Sequence, residues 1–204
     1  MRKHHLTLLS TLGLAACAAA VQSGGRIVFA DPEWRPPERV ALLPVWLDVA
    51  DPGVDPDKIL GLVTDSLEAS LESERPELVV LGPELLRRAL DGSDGPSLGR
   101  IMTGFSGTGT LEPEVLRQLQ EAVQVDHVLT TRLTYGAARS GLRNTSEDRN
   151  LRLRAVLWSV VDGRPAWSAE SWAVRDAKFL NTHTGGIRRM AGTLARELVS
   201  RLPT

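Results

Sequence analysis

The chain has 204 residues, 42% of them hydrophobic, which is enough for one domain with a packed core and excludes wholesale disorder. Its 24 Lys and Arg against 25 Asp and Glu give a formal charge of −1, which argues against a general nucleic-acid binder, because such a protein needs a basic surface. A single cysteine excludes an internal disulfide framework and any Cys-rich zinc or iron–sulfur site.

The first 16 residues are typical of an export signal. Arg2 and Lys3 form a positively charged start, and the apolar stretch 6–16 has about the length of the hydrophobic part of a signal peptide. The stretch is too short to cross a bilayer, which takes about 20 apolar residues. Ala15 and Ala16 supply small side chains before a cleavage point. We therefore predict that residues 1–16 are a signal peptide.

The segment Leu14-Ala15-Ala16-Cys17 resembles the bacterial lipobox. The resemblance implies that Cys17 is diacylated on its thiol and acylated at its new amino end, which gives a stable anchor of two or three chains. Ala18 is not aspartate, and the sorting rule of enteric bacteria then favours the outer membrane, facing the periplasm. The alternative is a plain secretory signal that is cut after Ala19 or Ala20.

Residues 17–38 are predicted to form the lipid anchor and a flexible tether. The pair Gly24-Gly25 favours flexibility, and Pro36-Pro37 favours extended polyproline II structure. Trp34 in this segment either packs on the protein's own domain or contacts a partner.

Residues 39–204 are predicted to form the folded domain. Strands are expected where apolar residues run together or alternate. These stretches are 39–46, 78–81, 125–135, 151–161 and 166–174. The dipeptide Asp162-Gly163 predicts that the last two strands form a hairpin. Helices are expected where apolar residues recur at spacings of three and four. These stretches are 57–73, 83–90, 111–123 and 186–202.

The segment 91–110 contains six glycines and is predicted to be a long loop. Long loops in compact domains are often functional, so this one is a candidate recognition surface. The predicted order of elements is typical of a single α/β (α+β) domain with a mixed sheet of about four to five strands flanked by helices.

Two parts of the chain resemble one group of bacterial envelope proteins. The strand Val40–Val45, the helix after it and Leu78–Pro83 are similar to the first half of that group's domain. Val125–Thr131 and the hairpin 151–167, with its Asp-Gly turn and following Trp, are similar to the second half. The group holds the N-terminal domain of TolB, the curli-secretion lipoprotein and the lipoprotein activators of penicillin-binding proteins. The resemblance covers about residues 39–202 and implies the fold of the TolB N-terminal domain.

No motif predicts catalysis. The chain has no Gly-Lys dipeptide, which excludes a Walker A phosphate loop. Ser106 lacks the last glycine of a nucleophile elbow, and nothing in the sequence pairs it with His127 or His183. The histidine spacing fits no zinc site, and acylation would consume the Cys17 thiol. We therefore expect no enzyme activity, no cofactor and no metal.

Arg152, Arg154 and Trp158 are the candidate partner-binding residues. The two arginines are two positions apart on one predicted strand, so they share a face and would suit lipid headgroups or an acidic protein patch. The alternative for the arginines is a solvated sheet surface with packed stems. The alternative for Trp158, as for Trp167 and Trp172, is packing in the core or on a sheet face.

These patterns predict a non-catalytic lipoprotein of the bacterial cell envelope that binds or helps assemble another envelope component. The resemblance leaves two alternatives open. One is an oligomeric subunit of an outer-membrane secretion or assembly system. The other is a regulator of a peptidoglycan synthase.

Overall fold

The computed structural model describes residues 21–49, 55–93, 95–139, 147–176 and 183–203. The predicted signal peptide and the lipid-attachment residue Cys17 lie outside the described residues.

The structure contains seven strands and five helices in the described residues. The strands are β1 (Gln22–Ala30), β2 (Arg39–Leu42), β3 (Trp46–Val49), β4 (Val79–Leu81), β5 (His127–Arg139), β6 (Glu147–Ser159) and β7 (Arg164–Asp176). The helices are α1 (Pro56–Glu74), α2 (Pro83–Asp91), α3 (Leu98–Thr108), α4 (Pro113–Val123) and α5 (His183–Val199).

All seven strands belong to one mixed sheet, in the order β1-β7-β6-β5-β2-β4, with β3 also paired to β5. Strand β2 runs parallel to β4 and β5, and β3 also runs parallel to β5, whereas the pairs β5–β6, β6–β7 and β7–β1 are antiparallel. The predicted mixed α+β fold is confirmed. The sheet has more strands than predicted because β1 and β3 were not expected; the strand predicted over 39–46 ends at Leu42, and β3 begins at Trp46. Pro44, between the two, has no N–H for the sheet's hydrogen bonds.

Helix α1 shows why the predicted helices form. Asp55 caps its start by accepting a hydrogen bond from the backbone N–H of Asp57 at 3.1 Å, and Pro56 occupies the first turn, where its missing N–H costs nothing. The apolar face predicted from the spacing is the buried face. It consists of Ile59, Val63, Leu67 and Leu71.

Helices pack on both faces of the sheet and create two cores. The first core lies between the sheet and helices α1 and α5, and includes Leu153, Trp167 and Leu194. The second core lies on the other face under α2, α3 and α4, and includes Phe105 and Trp158. Burial on both faces gives a three-layer arrangement at the β2 side of the sheet.

Half of the described part of the segment predicted as a flexible tether belongs to the sheet. Residues 22–30 form β1, which pairs antiparallel with β7 from Gln22 opposite Val174 to Ala30 opposite Trp167. The glycines suggested flexibility, but Gly24 lies under the indole of Trp172, where a Cβ would come within 2.6 Å of the ring. Glycine is needed there for close packing, so the tether prediction is corrected from residue 22 onwards.

The predicted loop 91–110 is also corrected, because residues 98–108 form helix α3. Ser97 caps this helix by accepting a hydrogen bond from the N–H of Arg100 at 3.4 Å, and Ile101 and Phe105 are buried one turn apart. Gly99, Gly104 and Gly107 have open space around their Cα atoms, so they cost helix propensity without disturbing the packing. Tertiary burial outweighs that cost.

Candidate functional site

One half of the sheet has a face that no described helix covers. Strands β5, β6 and β7 are each 13 residues long, which is about 40 Å at the usual rise per residue. Helices α3 and α4 have 11 residues each and span only about 16 Å. The part of the face beyond these helices is called the open face below. Its residues are Arg26, Arg132, Thr134, Arg152, Arg154, Glu170 and Trp172.

The strand register arranges the open face in two neighbouring rows. The first row runs across β5, β6, β7 and β1 and consists of Thr134, Arg152, Trp172 and Gly24. In the next row, Arg132 lies opposite Arg154, followed by Glu170 and Arg26. Side chains directly opposite each other point to the same face of the sheet, so each row presents its side chains together.

Glu170 is the acidic centre of the open face. Its carboxylate accepts hydrogen bonds from Arg26 at 3.0 and 3.2 Å, and its second oxygen lies 3.3 Å from Arg152. The Glu170 side chain is only 12% exposed, whereas those of Arg26 and Arg152 are 68% and 55% exposed. With Asn150 and Trp172, these three residues line a shallow pocket of about 260 Å³.

The other two arginines of the open face have no carboxylate partner in the described part of the chain. Arg154 is exposed. Arg132 is half-buried at the rim, with its guanidinium 5.5 Å from the centre of the Phe105 ring. Its Nε is buried without an acceptor in the described ranges. Four of the seven residues of the open face are arginines and one is a glutamate, and the register places Asp148 and Asp176 on the same side of the sheet, toward the start of β6.

The structure separates the three predicted partner-binding residues. Arg152 and Arg154 lie on the open face, as their spacing predicted. Trp158 belongs to the same side of β6, but it lies under the helices, is 5% exposed, and donates its indole N–H to Thr130 Oγ1 at 3.0 Å. Trp158 is therefore a core residue, and the prediction that it binds a partner is corrected. Strand β6 has 13 residues, so the same side of it is exposed at Arg152 and Arg154 and lies under the helices at Trp158.

Sequence reasoning missed Arg26 and Glu170, and did not separate the half-buried Trp172 from the core residue Trp167. Arg26 and Glu170 are 144 positions apart in sequence, and only the pairing of β1 with β7 brings them together. Trp167 and Trp172 are five positions apart on one strand, so the alternation of side chains puts them on opposite faces of the sheet. This spacing was a usable signal that the two differ: Trp167 is fully buried and Trp172 is half-buried.

A larger cleft of about 890 Å³ lies at the opposite end of the sheet, between the segment 31–38 and the β6–β7 turn. Its polar groups hold that segment in place. The Asp126 carboxylate accepts hydrogen bonds from the backbone N–H groups of Glu38 at 2.8 Å and Arg39 at 3.1 Å. Asp31 forms an ion pair with Arg164 at 2.6 Å.

His127 and Ser106, which no sequence motif assigns to catalysis, have local structural partners. His127 is buried in the cleft wall, with Nδ1 3.1 Å from Asp126 Oδ1 and its ring edge-on to Trp34 at 6.4 Å. Trp34 thus packs on the protein's own domain, one of the two alternatives for it. Ser106 lies on α3 and donates its hydroxyl to the carbonyl of Thr103 at 2.8 Å.

The described ranges contain neither a metal-binding cluster nor a membrane-spanning helix. No group of three or more His, Cys, Asp or Glu side chains there is placed to hold a metal ion. No helix in the same ranges has both the length and the apolar character to span a bilayer.

No protein-family model matches the chain, and no curated protein matches its sequence. Among solved structures, lipoprotein GNA1162 from Neisseria meningitidis is 14% identical, with a TM-score of 0.51, over 80% of this chain and 99% of that one. The fold is that of a solved bacterial lipoprotein. The hypothetical protein CT253 from Chlamydia trachomatis is 16% identical, with a TM-score of 0.51, over 80% of this chain and 90% of that one.

The C-terminal domain of LpoB from Escherichia coli is also similar, at 14% identity and a TM-score of 0.41, over 70% of this chain and 86% of that one. The resemblance to bacterial lipoproteins is confirmed at the level of the fold by GNA1162.

Proposed function

We propose that this chain is a non-catalytic lipoprotein of the bacterial cell envelope. Acylated Cys17 would anchor it in the outer membrane, with its domain in the periplasm, where it binds or helps assemble another envelope component. The observation that carries the anchor is the lipobox-like segment Leu14–Cys17, joined to a domain whose fold is shared with a solved lipoprotein.

The absence of catalysis is part of the proposal. It is supported by the cleft of about 890 Å³ at the 31–38 segment, where Asp126 and Asp31 are used to fix that segment to the sheet. General acid–base catalysis needs a group that is free to reach a substrate proton, and these carboxylates already have structural partners.

The surface that supports binding of a protein partner is the edge strand β1. Ile27, Val28 and Phe29 are 51%, 48% and 43% exposed, and no other described strand pairs with the outer edge of β1. Exposed apolar edge strands are natural sites for a further strand to add. The same observation favours the second candidate function, an oligomeric subunit of an outer-membrane secretion or assembly system.

Replacement of Cys17 tests the anchor. We expect Cys17→Ser to give a folded domain that no longer floats with membranes and incorporates no labelled palmitate. Ala18→Ser is the matched control, because it leaves the acyl acceptor and the residues before the cut unchanged. Retention of the Cys17→Ser protein in the membrane fraction would contradict the proposal.

Cross-linking in cells tests the partner surface. We expect a cross-linked product with the wild-type chain that is lost in Val28→Lys, because a charge on the edge opposes strand addition. Val161→Lys is the control, since Val161 is 75% exposed in the β6–β7 turn. A ladder of self-linked species would favour the oligomeric subunit, and one heterologous partner would favour a binding protein. A product that survives Val28→Lys would exclude β1 as the surface.

A further inference from the structure

The shallow pocket on the open face, called the indole pocket below, is built around Trp172. This residue lies opposite Gly24 on β1, and a Cβ at Gly24 would have three indole atoms within 3.3 Å, the nearest at 2.6 Å. The indole therefore lies with one ring face against the backbone of β1. Trp172 is half-buried and lines the pocket of about 260 Å³. The pocket thus contains a flat apolar surface that the sheet holds in place.

Four polar side chains surround the indole. Arg26, Asn150, Arg152 and Glu170 line the same pocket. The register places Arg152 directly opposite Trp172, and Glu170 is two positions earlier on β7, on the same face. The two arginines supply only donors, whereas the carboxylate of Glu170 and the amide oxygen of Asn150 are acceptors. Donors and acceptors therefore lie side by side around one aromatic ring.

One acceptor in the wall of the indole pocket has no partner. The amide oxygen of Asn150 is buried and accepts no hydrogen bond within the described ranges. Its neighbour on β5 is Gly136, which has open space where a Cβ would be. A buried acceptor without a donor costs free energy, which a donor group on a bound molecule would recover. The wall beside Asn150 is both unsatisfied and uncrowded.

The charges around the pocket disfavour a charged ligand. The Glu170 carboxylate contacts both Arg26 and Arg152, so the positive and negative groups already neutralise one another in part. An anion entering the pocket would meet Glu170, and a cation would meet the two arginines. Asp148 and Asp176 follow on the same side of the sheet, which gives no preference for anions. An uncharged molecule with several hydroxyl groups avoids this repulsion and both donates and accepts hydrogen bonds.

A sugar ring has this combination of properties. One face of a pyranose carries C–H groups that pack on an aromatic ring, and its hydroxyl groups point outward from the ring edge. The indole pocket, at about 260 Å³, is smaller than the roughly 300–1,000 Å³ of sites that enclose a whole small molecule. A shallow site of this size suits one ring of a longer glycan whose remaining rings stay in solvent.

We propose that the indole pocket binds an uncharged sugar ring of a glycan, stacked on Trp172 and hydrogen-bonded to Arg152, Glu170 and Asn150. The site is separate from the edge of β1 and adds a ligand to the proposed function. It does not rest on the lipid anchor. N-acetylated cell-wall glycans and polysaccharides with hydroxyl groups alone both supply uncharged rings, and the test separates these two sources.

Saturation-transfer NMR on the full chain, purified from bacterial membranes into nanodiscs, tests the site. The probes are four tetrasaccharides: N-acetylchitotetraose, cellotetraose, the cationic deacetylated form of the first, and anionic tetragalacturonate. We expect transfer to the ring C–H protons of an uncharged probe, and about tenfold weaker binding of both charged ones. Binding of N-acetylchitotetraose alone would identify the cell-wall type, and binding of cellotetraose alone the other.

Variants of the pocket locate the binding. Trp172→Ala should weaken it about tenfold, because the apolar surface is lost, and Trp172→Phe should restore most of it. Asn150→Ala leaves the indole in place and should weaken binding about fivefold. Phe29→Ala is the matched control, because Phe29 is an exposed aromatic residue of β1 that does not line the pocket, and it should leave binding unchanged.

Three results would overturn the proposal: no transfer to either uncharged tetrasaccharide, tighter binding of a charged one, or equal affinity in the wild type and in folded Trp172→Ala and Asn150→Ala variants. Failure of the lipid anchor gives a different result. A chain without acyl groups that still binds the sugar would contradict the anchor and support the indole pocket.

Discussion

The two faces of strand β6 differ residue by residue. Leu151, Leu153 and Ala155 are fully buried against α1 and α5, while their neighbours Arg152 and Arg154 are exposed on the open face. Antiparallel sheets often keep one face wet, so the alternation alone indicates only a surface. The charged contacts add to this, because on the exposed side Arg152 shares the carboxylate of Glu170 with Arg26, which ties β1, β6 and β7 together.

Leu153 and Arg154, adjacent in β6, should give the largest difference in the free energy of unfolding when each is replaced by alanine. We expect Leu153→Ala to lower the free energy of unfolding by about 2–5 kcal/mol, because it leaves a cavity in the first core. Arg154→Ala, one position later, should change it by less than about 0.5 kcal/mol. Chemical denaturation followed by circular dichroism measures both. A large loss in Arg154→Ala would mean that the open face is covered in the folded protein.

The part of this sheet face that lies under the helices gives a second contrast with the open face. Thr130→Val removes the acceptor of the buried Trp158 indole N–H and should cost about 1–3 kcal/mol of stability. Thr134→Val, on the same side of β5 but in the open half, is the control and should cost little. Urea denaturation measures the free energy of unfolding of both variants. Equal costs would contradict the placement of Trp158 in the core.

Gly24 tests the packing of β1 under Trp172. Gly24→Ala places a methyl group against the ring and should destabilise the protein by about 1 kcal/mol, since the indole must shift. Gly61→Ala is the control. It lies in α1 with open space around it, and should stabilise the protein by up to about 1 kcal/mol. Thermal unfolding measures both changes, and a stabilising Gly24→Ala would show that β1 does not pack as described.

The smallest expected effect concerns the carboxylate of Glu68, on helix α1. Burial, with the nearby carboxylates of Asp65 and Glu72, raises the pKa of Glu68 above its ordinary value. The ionised form of Glu68 is therefore less favourable in the folded state than in the unfolded chain. This loss of folding free energy is fully present above the folded-state pKa, and it disappears as the pH falls below the ordinary pKa of a glutamate. Glu68→Gln should stabilise the protein slightly at neutral pH and not in acid.

Denaturation curves for Glu68→Gln at neutral and acidic pH check this, with Glu74→Gln on the same helix as control. A stabilisation that grows as pH falls would contradict the sign of the pKa shift.

Local patterns predicted much of the fold. The spacing in α1 gave its buried face, and Asp162-Gly163 gave the β6–β7 hairpin, in which Gly163 has a positive φ of 64°. Helix α3 was missed because its glycines lower helix propensity, while the burial of Ile101 and Phe105 that offsets this is tertiary.

The candidate site was less predictable than the fold. Arg152 and Arg154 could be placed together from their spacing on one strand. Arg26 and Glu170 could not, because their contact depends on β1 joining the sheet next to β7. Trp158 was misplaced for a related reason, since no local pattern says where along a strand the helical cover ends.

The central claim is that Cys17 is the acylated first residue of the mature protein and lies a few residues from the sheet. The most direct test is mass spectrometry of the N-terminal peptide of the protein purified from bacterial membranes. We expect a peptide that begins at Cys17 and carries two or three acyl chains. An unmodified peptide that begins after Ala19 or Ala20 would contradict it and identify a plain secretory signal.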